Sequence, residues 1–163
     1  MWEWEGGDLG FLGAKPALKS LHLAGTKNSV GSLAGIEDCP ALEELTVFDS
    51  RLEGIEPLRD LPMLRRLQIT QRRPSDGTPW VLSALTTAGD LMWLTLTFCG
   101  PVESVRPLLQ MPALRDVRLR GTTIVDGDIR PLIDLPWEVV VGPFDDHGHY
   151  THTYAEVQRL RRR

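Results

Sequence analysis

A six-residue phrase recurs five times along this chain of 163 residues, and it constrains the fold more than any other feature. Each copy places an aliphatic side chain at its first, fourth and sixth positions. The copies are Leu18, Leu21, Leu23; Leu42, Leu45, Val47; Leu64, Leu67, Ile69; Leu91, Leu94, Leu96; and Leu114, Val117, Leu119. Their first leucines are 24, 22, 27 and 23 residues apart. A unit of this length cannot bury its own apolar side, so the copies are predicted to stack and share one core.

The spacing of apolar residues predicts a different local structure for the two parts of each unit. Inside the phrase they alternate with other residues, as in a strand whose successive side chains point to opposite faces. Between phrases they recur at every third position, as Ile55, Leu58 and Leu61 do before Leu64. This period favours 3-10 turns over an α-helix. Much of the chain's glycine and proline is needed in these turns, since proline precedes the phrase by two residues in four of the five copies.

The whole pattern resembles the leucine-rich repeat, in the short form of about 22 residues known from bacterial internalins. The resemblance covers residues 9–141. It implies an α/β fold: a right-handed solenoid with a parallel β-sheet on its concave face and 3-10 or short helical turns on its convex face. It also implies a function, because the family generally binds proteins or peptides. A short C-terminal helix is predicted separately, from the capping box of Thr153 and Glu156.

The composition fits one globular domain. Hydrophobic residues are 42% of the chain and charged residues 25%, which excludes a disordered chain and a membrane protein. A strand is predicted near Trp2 and Trp4, and a shortened echo of the phrase at Trp137, Val139 and Val141 ends the repeats. The domain, residues 1–163, divides into an N-terminal strand or partial repeat, the repeats, and a tail with a cap helix, at residues 1–17, 18–141 and 142–163.

The ninth position of each unit tests the resemblance further. In the family it is usually Asn, Cys, Thr or Ser, whose side chain bonds to the backbone in the turn after the strand. The residues found there are Thr26, Ser50, Arg72, Cys99 and Thr122. Arg72 departs from the pattern, and it lies in the longest segment between phrases, residues 71–79, which is predicted to be an exposed insertion. Cys39 and Cys99 are two coils apart, about 10 Å, so both are predicted to be free thiols.

Side chains that alternate with the buried aliphatic residues point outward and form rows across the strands. The three rows are Ser20, Glu44, Arg66, Trp93, Asp116; His22, Thr46, Gln68, Thr95, Arg118; and Ala24, Phe48, Thr70, Thr97, Arg120. Trp93 is the strongest candidate for a partner contact, because an outward tryptophan has no folding role and Trp and Arg are enriched at interface hot spots. The predicted partner-binding residues are Trp93, Phe48, Arg66, Arg118, Glu44, Gln68 and Arg120, with Phe98 in the same patch.

Two alternatives compete with partner binding on this face. The acidic residues of the second phrase can pair with the basic residues of the third, as Glu44 and Arg66 would, and such pairing would have a purely structural role. The same residues can instead form an acidic-to-basic groove that selects a charged partner. The other alternative is that the C-terminal tail folds back and covers Trp93.

A histidine cluster in the tail is the one sequence feature that favours a metal site or an enzyme. His147, His149 and His152 lie close together, with Asp145 and Asp146 beside them. Neutral imidazoles at such spacing bind zinc or nickel. A metal-binding protein or hydrolase is therefore the alternative function, and a plain loop leading into the final helix is the structural one.

The leading prediction is a non-catalytic module, without cofactor or metal, that binds a protein or peptide on its concave face. An adaptor, an immunity-type protein and the recognition domain of a larger receptor all fit this description. The chain is predicted to be cytoplasmic, since its first residues lack the features of a secretory signal and no apolar stretch could span a membrane. Nucleic acid is not an expected partner, because the arginines at 159–163 are a small patch on a chain of net charge −4. A monomer, or a weak dimer through one solenoid end, is predicted.

Overall fold

Six parallel strands form a single sheet in the computed structural model, which describes residues 7–24, 30–72 and 77–162. The strands are β1 (Ser20–Ala24), β2 (Glu44–Ser50), β3 (Arg66–Gln71), β4 (Trp93–Thr97), β5 (Asp116–Arg118) and β6 (Val140–Val141). Each strand pairs with the next one along the chain. Every connection is therefore one coil of a solenoid, and the predicted stack of coils is confirmed.

Short helices return the chain from one strand to the next. The 3-10 helices are Gly10–Leu12, Ile36–Asp38, Glu56–Asp60, Leu82–Leu85 and Arg106–Gln110, and α1 (Arg130–Asp134) is a short α-helix. Pro57, Pro107 and Pro131 lie in the first turn of their helices, where the missing N–H leaves no hydrogen bond unmade. The 3-10 turns expected from the period of three are confirmed. No helix among the described residues has the length and apolar character needed to cross a bilayer.

The core lies between the sheet and the short helices. Leu45, Leu67 and Leu94 enter it from the sheet, and Leu58 and Leu108 enter it from the opposite wall; all five are fully buried. The buried residues form one continuous cluster from Leu9 to Val157. Each coil therefore depends on its neighbours for burial, as the repeat length predicts.

A second, narrower set of parallel bridges joins the coils away from the sheet. Trp80 pairs with Val102, and Val102 pairs with Ile124. Trp80 is fully buried and directly follows the long segment between the third and fourth phrases. That segment is exposed at Arg72 and at residues 77–78, as predicted, while residues 73–76 lie outside the described part of the chain. Gln71, its first residue, is buried instead.

The residue that fills the turn position at the end of β3 is Gln71, and the prediction of Arg72 for this position is wrong. The pairing of β2 with β3 passes from Phe48 and Thr70 directly to Ser50 and Gln71, so β2 holds one extra residue. Because of this shift the Gln71 side chain turns inward, and its Nε2 donates a hydrogen bond to the carbonyl of Leu52 at 2.8 Å. Arg72 is left at the surface.

The extra residue of β2 is Asp49, which adopts a left-handed backbone conformation. Phe98 and Gly121 adopt it at the corresponding places after β4 and β5. After β4, Cys99 then turns inward as the family pattern implies, and its Sγ lies 3.4 Å from the carbonyl oxygens of both Ile69 and Thr97, which share its single S–H donor. Burial raises the pKa of this thiol to about 12. Thr26 lies outside the described residues, and Cys39 and Cys99 are both free and buried, which confirms that prediction.

We expect replacement of Gln71 by alanine to lower the free energy of unfolding by about 1–3 kcal/mol, since it leaves the buried Leu52 carbonyl without its donor. Urea unfolding at 25 °C measures the change. Gln68→Ala on the same strand is the matched control, because that side chain points outward and the same substitution there should cost less than about 0.5 kcal/mol. Equal losses for the two variants would contradict the assignment.

The C-terminal part contains the predicted cap helix, α2 (Tyr154–Arg161). The hydroxyl of Thr153 accepts from the N–H of Glu156, and the Glu156 carboxylate accepts from the N–H of Thr153, so the capping box is confirmed. In the shortened echo, Val139 and Val141 are buried. Trp137 is 82% exposed and lies outside the core, so the echo holds only for its two valines. The strand predicted near Trp2 and Trp4 lies outside the described residues.

Candidate partner-binding face

The outward side chains of the sheet form the rows that the repeat predicts. The first row runs through Ser20, Glu44, Arg66, Trp93 and Asp116 and continues to Val140. The second runs through His22, Thr46, Gln68, Thr95 and Arg118, and the third through Ala24, Phe48, Thr70 and Thr97. Arg120 lies just beyond the end of β5, and its carbonyl accepts from the N–H of Phe98 at 2.9 Å. We call this surface the concave face.

Trp93 lies near the middle of the first row, 36% exposed. The guanidinium carbon of Arg66, on the neighbouring strand, lies 4.6 Å from the centre of its ring. A cation over an indole face at this distance is attracted by the ring quadrupole, which holds both side chains in one arrangement. The C-terminal tail makes its contacts on the last coil, and Trp93 remains accessible to solvent.

Arg118 is held by a carboxylate of its own strand. Its Nε and Nη2 donate to the two oxygens of Asp116 at 2.8 and 2.9 Å. This bidentate pair raises the pKa of the Arg118 guanidinium. Its aliphatic stem crosses Gly142, where a Cβ would lie 2.7 Å from the Cγ of Arg118. The absence of a side chain at Gly142 therefore allows the arginine to lie flat at this end of the face.

A hollow of about 290 Å³ opens between these two arginines. It is lined by Arg66, Leu67, Gln68, Trp93, Thr95, Asp116 and Arg118. Four of the seven predicted partner-binding residues are thus brought together in one place: Arg66, Gln68, Trp93 and Arg118. This volume is at the lower end of the range for ligand pockets, about 300–1,000 Å³, and it is large enough for one or two side chains of a partner.

The other predicted residues lie around the hollow. Glu44 neighbours Arg66 in the first row, with the Nε of Arg66 at 3.8 Å from its Oε1. Phe48, the second member of the third row, is exposed, and so is Arg120 just beyond β5. Phe98 is exposed too, and its ring lies over Gly121, where an added Cβ would clash with it.

The charge blocks pair with one another across neighbouring strands, as the structural alternative expects. Beside the loose Glu44–Arg66 contact, a chain of ion pairs runs along the second positions of the phrases. The pairs are Lys19–Glu43 at 2.8 Å and Arg65–Glu43 at 3.7 Å, and the chain ends with Arg65–Asp90 at 3.9 Å, where Asp90 directly precedes the fourth phrase. Lys19 and Arg65 lower the pKa of the Glu43 carboxyl. Such exposed pairs contribute about 0–1 kcal/mol each, so they do not by themselves explain the arrangement of charges on the face.

Three residues that line the hollow are not among the predicted partner-binding residues. Thr95 and Asp116 were placed in the correct rows but given no role, and Leu67 was assigned to the core alone. The signal for Asp116 is present in the sequence, because residues two apart on a strand share one face and Asp116 and Arg118 have opposite charges.

The histidine cluster closes the last coil of the solenoid. Ile124 ends the narrow set of bridges, so its outward backbone groups have no further coil to bond with. The hydroxyl of Tyr150 accepts from the N–H of Ile124 at 2.8 Å, and the Nε2 of His149 donates to its carbonyl at 3.0 Å. The ring of His147 contacts those of His149 and Tyr150, with centroids 5.8 and 5.0 Å away.

This arrangement does not favour the metal-site alternative. Within the described residues, no three His, Cys, Asp or Glu side chains are placed to hold a metal ion together. The Nε2 of His149 is already bonded to a carbonyl, and the Nδ1 of His152 lies 3.1 Å from the hydroxyl of Thr151. The carboxylates beside the cluster also have structural partners: Asp145 accepts from the N–H of Gly121 at 2.7 Å, and Asp146 from that of Tyr154 at 2.7 Å.

Comparison with known proteins supports the fold. No family model and no curated protein matches the chain. Among solved structures, an internalin (InlF) from Listeria monocytogenes is similar to it, with a TM-score of 0.52 and 21% sequence identity. The match covers 82% of this chain and 44% of the internalin, so the chain spans less than half of that protein's length. The similarity confirms the α/β leucine-rich-repeat solenoid that the repeated phrase predicts.

Proposed function

We propose that this chain is a non-catalytic interaction module that binds a protein or peptide on its concave face. The observation that carries the proposal is Trp93, a large apolar side chain held at the surface in the middle of the sheet. Arg66 fixes its ring, and the hollow beside it can receive a partner's side chain. Tryptophan buries a large area with little loss of conformational freedom, and both tryptophan and arginine are enriched among interface hot spots.

The rest of the face supports the same proposal. The accessible surface around the hollow is polar, with Thr70 and Thr97 in the row beside Gln68 and Thr95 and with Glu44 next to Arg66. A polar surface around an aromatic anchor is the usual anatomy of an interface that forms between two folded or soluble partners. A nucleic-acid partner does not fit, because the chain has a net charge of −4.

Two further parts of the proposal concern the setting. Both cysteines are free, which fits a reducing compartment such as the cytoplasm. At the C-terminal end, α2 occupies the edge of the sheet: the Nε2 of Gln158 donates to the carbonyl of Val141 at 3.0 Å. With the C-terminal end covered, we propose a monomer that binds its partner on the concave face.

The proposal is tested by affinity capture from a lysate of the source, followed by titration of the purified partner. We expect Trp93→Ala to weaken binding by about 2 kcal/mol or more, which is about 30-fold in Kd. Arg66→Glu should weaken it similarly, because it reverses the charge that lies on the Trp93 ring. Isothermal titration calorimetry measures both.

Trp137→Ala is the matched control, since Trp137 is an exposed tryptophan that is not part of the rows. It should leave the affinity of the captured partner unchanged. Full binding by both Trp93→Ala and Arg66→Glu would overturn the proposal. A loss that occurs equally in Trp137→Ala would place the interface elsewhere on the chain.

A further inference from the structure

The hollow of the concave face is rich in hydrogen-bond donors that have no acceptor within the described chain. The Nε of Arg66 lies 3.8 Å from Glu44, which is longer than a hydrogen bond. The N–H groups of the planar Arg66 guanidinium therefore stay available for a ligand, and their geometry matches the two oxygens of a carboxylate. The amide of Gln68 and the hydroxyl of Thr95 line the same space.

The second arginine of the hollow is fixed in place before any partner arrives. Asp116 takes up the Nε and Nη2 of Arg118, which leaves its Nη1 for another acceptor. The Asp116 side chain is only 15% exposed and is already bonded to this guanidinium, so it presents little free negative charge. With two arginines and one aspartate in the lining, the hollow has a fixed charge of +1 on a chain whose net charge is −4.

We infer that this hollow binds the carboxylate of an Asp or Glu side chain from a protein partner, with an adjacent apolar residue of that partner covering Trp93. The inference rests on the proposed function and specifies the chemistry of the partner. Arg66 donates to the carboxylate from one side and the Nη1 of Arg118 from the other. Gln68, on the same strand as Arg66, and Thr95, on β4 between the strands of the two arginines, supply neutral donors.

Charge and size together favour a carboxylate over other anions. A single positive charge balances one carboxylate, whereas a phosphate carries close to two negative charges at neutral pH. Glu44, 3.8 Å from Arg66, repels any anion that binds there, and it opposes the higher charge of a phosphate more than the single charge of a carboxylate. The indole beside the donors is apolar, so the best occupant combines a carboxylate with a neighbouring hydrocarbon side chain, as a peptide does.

The test uses random twelve-residue peptides displayed on phage and selected on the intact protein. Peptides that bind wild type and fail to bind Trp93→Ala are synthesised with both ends blocked, so that their only carboxylates are side chains. Each Asp or Glu is then replaced by Asn or Gln, and the Kd is measured for both forms. We expect one such replacement to weaken binding to wild type about tenfold or more, the effect of a charge-assisted hydrogen bond.

The same replacement in the peptide should change its affinity for Arg66→Gln or Arg118→Gln by less than about threefold, because the arginine that donates to the carboxylate is already absent. Arg65→Gln is the matched control: Arg65 is the exposed arginine next to Arg66 in the chain and does not line the hollow. It should keep the full preference for the carboxylate. Changing the peptide leaves the protein intact, so a folding defect in a variant cannot produce the effect.

The outcomes separate this inference from the proposal on which it rests. Peptides that require Trp93 and lose affinity when one carboxylate becomes an amide support both. Peptides that require Trp93 and tolerate every such replacement within about twofold overturn the carboxylate inference and leave the proposed function standing. Selection that returns no peptide dependent on Trp93 counts against the proposed function itself.

Discussion

Replacement of Leu108 by alanine is expected to lower the free energy of unfolding by about 3–5 kcal/mol. Leu108 is fully buried in the 3-10 helix Arg106–Gln110, on the wall of the core opposite the sheet. Its removal takes away hydrophobic transfer energy and leaves a cavity that the neighbouring coils cannot close without moving. Because coils of a solenoid stabilise one another, the loss should reach the whole domain.

The matched control is the next residue of the same helix. Leu109 is 46% exposed, so Leu109→Ala deletes the same atoms from the same local structure at the surface, at a cost of about 1 kcal/mol or less. Urea unfolding followed by circular dichroism measures both variants, with an unchanged slope showing that the transition stays cooperative. Equal losses at the two positions would mean that the convex helices do not form the second wall of the core.

The repeated phrase was enough to predict the sheet, its parallel pairing and the outward rows. A side-chain period of two allows one register for each strand once its aliphatic residues must face the core. The period of three likewise indicated the short helices. These predictions succeed because aliphatic residues recur at equivalent positions in all five phrases, so an exception at one position leaves the repeat recognisable.

Features that occur once were harder to predict. Gln71 and Arg72 are both polar, and which of them turns inward depends on whether the preceding backbone takes a left-handed residue. The left-handed residue is Asp49, Phe98 or Gly121 in three of the coils, and these residues have no side-chain chemistry in common from which the position could be predicted. The partner-binding role of the predicted residues stays a prediction, since it depends on a molecule that the sequence does not contain.

The tail shows how one sequence signal can have two physical origins. Three histidines within six residues resemble metal ligands, yet polar side chains are also needed where a stack of coils ends. The N–H of Ile124 would otherwise be left without a partner, and Tyr150 supplies one. His149 adds a second donor to the Ile124 carbonyl, which also accepts from the N–H of Gly127. The need for such a closure is set by the number of coils, which becomes visible only when the coils are placed in space.

Arg161 is the second position where a single substitution should have a large effect. It belongs to α2 and donates to five backbone carbonyls at the end of the solenoid. The Nη1 acceptors are Leu132 at 2.8 Å, Ile133 at 3.3 Å and Leu135 at 2.9 Å; the Nη2 acceptors are Pro136 at 2.8 Å and Val139 at 2.6 Å. The first two acceptors belong to the last turn of α1, whose free carbonyls favour a cation.

We expect Arg161→Met to lower the free energy of unfolding of this end by about 3 kcal/mol, because methionine keeps the hydrocarbon stem and leaves the carbonyls without a donor. Lysine should not rescue the loss, since an ammonium is a point charge that cannot reach both groups of carbonyls. Arg159→Met is the control, an exposed arginine of the same helix whose replacement should cost less than about 0.5 kcal/mol.

Hydrogen exchange locates the effect, because the last coil can open while the others stay folded. The N–H groups of Val140 and Gly142 donate to Arg115 and Val117 and report on the pairing of β6 with β5. In Arg161→Met they should exchange about 100-fold faster, which corresponds to the expected loss of about 3 kcal/mol. The amides of β3 should be nearly unaffected. Faster exchange throughout the sheet would show instead that Arg161 stabilises the solenoid as one cooperative unit.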